Sequence, residues 1–157
     1  MQKPVAEKLN YETHSYSKAA LFWAVLLLAL DRCLKAVAII FWSSQARQLI
    51  DGWLLTYSLN RRLAFSLAWT GPTLIIFLTI LILILTVYAI NTIKKQPNQI
   101  WGWSLLLAGA YSNLYDRIIY GGVIDYLASW WTIFNLADIF VGLGLIILLW
   151  PKQKGRL

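Results

Sequence analysis

Apolar residues along this chain gather in four long runs, at about 19–42, 73–92, 100–120 and 132–150, with shorter mixed segments between them. Each run is close to the ~20 residues that an α-helix needs to cross a bilayer core. The pattern predicts an all-α integral membrane protein with four transmembrane helices, a single membrane domain over residues 1–157. Residues 1–17 are polar and are expected to form a poorly ordered tail. The apolar run behind them is too long for a cleavable signal peptide and ends without a small-x-small site. Segments 43–72 and 121–131 are left as loops on one side of the membrane. In the first loop, Trp53–Leu59 and Leu63–Leu67 alternate roughly between apolar and polar positions, with Asn60-Arg61 as a turn between them. That predicts a small β element, a surface hairpin between helices 1 and 2.

The polar positions inside the runs are more informative than the apolar ones. The second run carries no charge and reads as scaffold, whereas the first contains Asp31, Arg32 and Lys35. The third holds Asn113, Asp116 and Arg117, and the fourth has Asn135 and Asp138 in its first turns. Ionisable side chains at membrane depth cost several kcal/mol each on insertion scales and mark functional positions by default. At about 1.5 Å per helical residue, Asp31 and Lys35 lie roughly 18 and 24 Å from the inner surface, and Asn113 and Asp116 roughly 20 and 24 Å. Asp138, counted back from the opposite end of a ~30 Å core, falls near 21 Å. Three helices thus bring their polar residues to one level. Gly109, Asn113, Asp116 and Tyr120 share one helical stripe, and Asn135, Asp138 and Gly142 share another. Gly109 and Gly142 are expected to let those two helices approach closely.

Composition agrees with the membrane reading: 59% hydrophobic residues, 13% charged and a mean hydropathy of +0.61. The net charge of +7 could suggest nucleic acid, but the basic residues form no stripe with interleaved aromatics. Outside the runs they divide eight to three, with Lys3, Lys8, Lys18, Lys94, Lys95, Lys152, Lys154 and Arg156 opposing Arg47, Arg61 and Arg62. The positive-inside rule then places both termini in the cytoplasm and both long loops outside. The β element is therefore extracytoplasmic, and no nucleic-acid partner is expected. Trp130-Trp131 suits the headgroup belt. The one cysteine, Cys33, reads as a small helical residue, and the one histidine, His14, falls in the expected tail. Neither is expected to bind metal or to act in catalysis.

The seven acidic residues include three between Gly109 and Asp138. Asp31 and Lys35, four apart on one helical face, can pair, and Asp116 is expected to pair with Arg117. Those four residues could simply lock the bundle as a buried polar network. Asp125 and Asp138 are then left without a basic partner. Two such carboxylates brought together at low dielectric cannot both ionise, so one pKa rises and the pair shares a proton. In that state one carboxylate can take a proton from water while its protonated neighbour polarises a carbonyl. Asp125 can reach Asp138 only if the chain folds back between them. Gly121-Gly122 and the Trp-rich connection permit that. A proton or ion relay through the same carboxylates, as in a proton-coupled carrier or channel, is the competing reading.

The residues also resemble a known family. Asn113-Leu-Tyr-Asp116-Arg117, Gly122-Val-Ile-Asp125-Tyr and Phe134-Asn135-Leu-Ala137-Asp138 look like the hallmark blocks of lipoprotein signal peptidase, the type II enzyme. Asp31-Arg-Cys-Leu-Lys35 resembles its Asp-x-x-x-Lys block, and Asn60-Arg-Arg-Leu-Ala64-Phe65-Ser66 its first-loop block. The resemblance implies a four-helix inner-membrane aspartic endopeptidase with a small extracytoplasmic sheet. Such an enzyme removes the signal peptide from prolipoproteins, cutting just before the diacylglyceryl-modified cysteine. Carried over by motif, Asp125 and Asp138 would be catalytic. Asn113, Arg117, Asn135, Ala137, Asp31, Lys35, Asn60, Gly109 and Asp116 would line or support the site. No metal or other cofactor is implied. The expected partners are the lipidated substrates and membrane lipid, with the chain acting as a monomer. The sequence departs from the pattern at Ser112 and Arg62, where Gly is usual, and at Tyr126, where Phe is usual. Arg62 leaves open an inactive relative that binds lipidated proteins without cutting them.

Overall fold

The computed structural model describes residues 5–62 and 70–150, with side chains from residue 18 onward. Among the described residues four α-helices form in chain order: α1 (Val5–Val37), α2 (Pro72–Lys95), α3 (Ile100–Tyr120) and α4 (Leu136–Leu149). α1 continues as a π-helical turn over Ala38–Trp42. Helix therefore begins at Val5, in the segment expected to be a poorly ordered tail. Ala6, Glu7, Lys8 and Leu9 are all good helix formers.

α2 is, among the described residues, the one helix both long and apolar enough to cross a membrane by length and composition. Pro72 sits at its start, where a missing N–H costs nothing, and Lys94 and Lys95 complement the dipole in its last turn. Its Ile76, Ile80, Leu83, Ile84 and Val87 face outward, a surface suited to lipid rather than water. α4 is a shorter apolar helix of 14 residues. It starts at Leu136, four residues after the expected onset, because Ile133–Phe134 is extended and Asn135 caps the helix.

α3 is the central element and packs against α1, α2 and α4. A Cβ at Gly109 would meet the Ala137 carbonyl oxygen at 2.3 Å, so this glycine sets the α3–α4 separation. The expected partner, Gly142, has nothing within 4 Å. Gly144 takes that role, with the Leu106 amide nitrogen 2.6 Å from the position of its absent Cβ. Tyr120 likewise leaves the Gly109 stripe and is 43% exposed.

The β element is larger than the expected hairpin. Among the described residues four strands, β1 (Arg47–Ile50), β2 (Trp53–Asn60), β3 (Val123–Ala128) and β4 (Ile133–Phe134), form one antiparallel sheet in the order β1-β2-β3-β4. It is built from both loops, not only from the one between α1 and α2. Trp53–Leu59 is a strand as expected, but its hairpin partner is β1, joined through Asp51-Gly52. Gly52 has φ 76°, and a Cβ there would strike the Trp130 ring, so turn and contact both demand glycine. The proposed second strand, Leu63–Leu67, lies outside the described residues. The chain does turn after β2, where the Asn60 side chain accepts the Arg62 N–H at 3.1 Å. β3 replaces the expected irregular connection and is almost fully buried. Ala38, Ile124 and Tyr126 form the small core that seats the sheet on the end of α1, with Leu34, Trp42, Tyr57 and Leu136 around them.

Candidate active site

Asp125 and Asp138 come from different elements and are placed by different local rules. Asp125 lies on β3 opposite Ser58, and Asn60 is two residues further along β2. A strand presents every second side chain to one face, so Asn60 and Asp125 share a face as diagonal neighbours. Asn60 Nδ2 donates to Asp125 Oδ2 at 3.1 Å. Asp138 stands in the first turn of α4, in a reciprocal cap. Asn135 Oδ1 accepts the Asp138 N–H at 3.0 Å, and Asp138 Oδ2 accepts the Asn135 N–H at 3.2 Å.

Asn135 joins the two carboxylates. Its Nδ2 donates to Asp125 Oδ1 at 2.6 Å while its backbone N–H serves Asp138. The chain folds back through the β3–β4 hairpin to make this possible, which an unbroken helix would forbid. Asp125 is buried and Asp138 is exposed. Neither is in an ion pair among the described residues. Burial, followed by the charge of Asp138, pushes the Asp125 carboxyl up to about 6, against the opposing hydrogen bonds from Asn135 and Asn60 and the charge of Lys35.

A buried ionic cluster lies beside the pair. Lys35 Nζ bridges Asp31 Oδ2 at 3.0 Å and Asp116 Oδ2 at 2.7 Å. Asp31 and Lys35 therefore pair as expected, but Asp116 does not take Arg117. Its second cation is Arg32, whose Nη1 lies 2.6 Å from Asp116 Oδ1. Arg117 is the next residue to Asp116 on one helix, and adjacent helical residues do not face each other. Arg117 instead donates to the Arg62 carbonyl oxygen at 2.9 Å and lies within electrostatic reach of Asp125 and Asp138. The cluster also holds the site elements by their backbones: Asp31 Oδ1 accepts the Ala137 N–H at 3.3 Å, and Asp116 Oδ2 accepts the Ile124 N–H at 3.2 Å. Lys35 donates to Asn113 Oδ1 at 3.0 Å, and Asn113 Nδ2 in turn donates to Asp138 Oδ1 at 2.8 Å.

All eleven residues singled out from the sequence thus belong to one connected region, with Gly109 packed on Ala137. Three contributors were not foreseen in their roles. Arg32 is a cluster cation, Ser112 hydrogen-bonds Asp31, and the Tyr126 hydroxyl links Asp31 at 3.4 Å to the Leu136 N–H at 3.1 Å. Burial and the Asp31 charge push the Tyr126 phenol above its ordinary range, so it stays protonated and can donate. The sequence signal for Arg32 was its place beside Asp31 within a membrane-length apolar run.

The comparisons with known proteins agree with one another. The family model described as signal peptidase (SPase) II matches residues 23–152. The lipoprotein signal peptidase of Syntrophomonas wolfei is 40% identical over 134 residues, covering 82% of this chain and 89% of its own. That of Thermosynechococcus vestitus is 34% identical over 154 residues, covering 91% of this chain and 98% of its own. A bacterial membrane enzyme solved by the in meso method shares the fold, with a TM-score of 0.76 and 21% identity over 89% of this chain and 94% of that one. A family match running through every element of the site, together with relatives of nearly equal length, establishes that the chain belongs to the signal peptidase II family.

Proposed function

We propose that this chain is a membrane aspartic endopeptidase that removes signal peptides from prolipoproteins, cutting just before the diacylglyceryl-modified cysteine. One observation carries the reading. Asp125 and Asp138, both outside any ion pair among the described residues, are tied together through Asn135, and Asp125 is held near a carboxyl value of 6. Family membership supports the substrate class.

In this reading the pair holds one proton. Asp138 is open to solvent and stands at a helix N-terminus, where negative charge is favoured, so it is the ionised base. Asp125, buried on β3, carries the proton. Asp138 takes a proton from a water molecule, whose oxygen attacks the scissile carbonyl carbon. The protonated Asp125 donates a hydrogen bond to the carbonyl oxygen as it gains charge. When the tetrahedral intermediate collapses, the C–N bond breaks and the proton held by Asp138 passes to the leaving amine of the lipidated cysteine. The signal peptide leaves with a new carboxylate. Asn113 and Asn135 orient Asp138, Asn60 and Asn135 orient Asp125, and Arg117 contributes positive field beside both.

All four helices span the membrane in this reading, with both termini cytoplasmic and the sheet and carboxylates near the outer face. The exposed apolar surface of α2 and the loop-charge asymmetry support that arrangement. The direct test is to incubate the purified chain in detergent with a diacylglyceryl-modified precursor and analyse the products by mass spectrometry. The expected products are an intact signal peptide and a protein beginning at the lipidated cysteine. Cleavage at any other bond, or of the unlipidated precursor at equal rate, would overturn the assignment.

A further inference from the structure

Arg32 occupies a variable position of the Asp-x-x-x-Lys block, and Ser112 stands where the resemblance has glycine, yet the structure joins them. Arg32 Nη2 donates to Ser112 Oγ at 2.6 Å and pairs with Asp31 Oδ2 at 3.1 Å, while Nη1 pairs with Asp116 Oδ1 at 2.6 Å. Ser112 Oγ in turn donates to Asp31 Oδ2. The guanidinium carbon lies 5.1 Å from the centroid of the Tyr115 ring, which covers its face.

The division of oxygens gives this arrangement its consequence. Arg32, Ser112 and Lys35 converge on Asp31 Oδ2, and Arg32 alone among the cations takes Asp116 Oδ1. Asp31 Oδ1 receives the Ala137 N–H of α4 beside the Tyr126 hydroxyl, and Asp116 Oδ2 receives the Ile124 N–H of β3 beside Lys35 Nζ. Those two amides belong to the neighbours of Asp138 and Asp125. Two buried carboxylates then face two cations, Arg32 and Lys35, and the cluster is neutral. With Arg32 removed, Lys35 alone would serve both acids, and one buried charge would be left uncompensated. That disturbs Lys35, which also fixes the amide of Asn113 against Asp138.

We propose that Arg32, working with Ser112, is a positioning residue for the Asp125–Asp138 pair: it charge-balances Asp31 and Asp116 so that their other oxygens and Lys35 hold β3, α4 and Asn113 in register. This rests on the aspartic reading given above. Arg32 touches neither carboxylate of the pair, so its loss is expected to act on turnover through their positions.

The test uses the full chain in detergent with a lipidated precursor, measuring kcat, KM and Tm for each variant. Arg32→Met is expected to lower kcat at least tenfold with KM changed less than threefold. Arg32→Lys keeps the charge and loses the fork; it is expected to fold and to give a kcat between those of Arg32→Met and the native chain. Ser112→Gly is expected to lower kcat in the native background and to add nothing on top of Arg32→Met, the signature of two residues acting as one unit. Native kcat in Arg32→Met, a lowered Tm with kcat per folded molecule unchanged, or Arg32→Lys no better than Arg32→Met would each overturn the proposal. Asp125→Asn in the same assay separates the two levels. If it is inactive while Arg32→Met is native, only the role of Arg32 falls; if it retains activity, the aspartic reading falls and takes this proposal with it.

Discussion

Asn135 donates its side-chain Nδ2 to Asp125 Oδ1 at 2.6 Å. The same residue caps α4 by exchanging hydrogen bonds with Asp138. A helix cap is ordinarily a local device that satisfies orphan N–H groups. Here its remaining donor reaches across to a strand, so closing the helix and assembling the carboxylate pair are one structural event.

The pair itself should be indispensable. Asp125→Asn and Asp138→Asn keep shape and volume but cannot share a proton. Each is expected to reduce kcat by about a thousandfold or more, the scale on which a reacting acid or base is lost. A gel shift of the lipidated precursor measures this, and thermal melting checks that both variants stay folded. Either variant processing at the native rate would remove its residue from the dyad.

The carboxyl of Asp125, raised from 3.8 to about 6, sets a pH dependence. In the proposed mechanism the shared proton is required, so kcat/KM should fall as pH rises through about 6. Asn60 donates to the charged form of Asp125 and so opposes the shift. Asn60→Ala should therefore move that limb to higher pH. For stability the sign follows the raised value. Between 3.8 and about 6 the folded chain holds a proton that the unfolded chain has released, so stability declines across that window and is flat above it. pH–rate profiles of the native chain and Asn60→Ala, with melting at pH 4 and 7, check both directions.

Gly109 and Gly142, paired on sequence grounds, should behave oppositely when substituted. Gly109→Ala places a methyl 2.3 Å from the Ala137 carbonyl oxygen, a backbone atom with no freedom to swing aside. Forcing α4 outward should cost about 1–3 kcal/mol and lower activity, because Ala137 adjoins Asp138. Gly142→Ala meets nothing within 4 Å and should be neutral or stabilising by up to about 1 kcal/mol, as glycine is a poor helix former. Chemical or thermal denaturation of the two variants distinguishes them.

Particular residues mark what the sequence could reveal. Four apolar runs correspond to four helices, and counting 1.5 Å per residue brought Asp31, Lys35, Asn113, Asp116 and Asp138 to one depth, where they do meet. Depth says nothing of azimuth, so Asp116 was matched with its neighbour Arg117 when its partners were Arg32 and Lys35 on another helix. Gly142 was placed on a stripe counted from Asn135, but Asn135 caps α4 in an extended conformation and the glycine that meets α3 is Gly144. β3 escaped because Val123–Ala128 is buried on both faces and lacks the alternation that betrays a half-exposed strand. Its pairing with β2 brings segments more than sixty residues apart together, and no local pattern encodes that.

The two roles of Asn135 can be separated by substitution. Asp is as good an N-cap as Asn, so Asn135→Asp retains the bond from the Asp138 N–H. It replaces the Nδ2 donor with an oxygen facing Asp125 Oδ1, where a third carboxylate meets two others. Like charges at this spacing should drive the Asp125 carboxyl above its present value of about 6 and reduce kcat by roughly a hundredfold, the scale for losing one aligned hydrogen bond in a site. Asn135→Ser also caps α4 but is too short to reach Asp125. It should keep Tm within a few degrees of the native chain and still lose most of its activity. Asn135→Ala loses both roles, so it should add about 1 kcal/mol of destabilisation to the same loss of kcat. Comparing kcat with Tm across the three variants resolves the matter. Activity that follows Tm in all of them would make Asn135 a helix cap and nothing more.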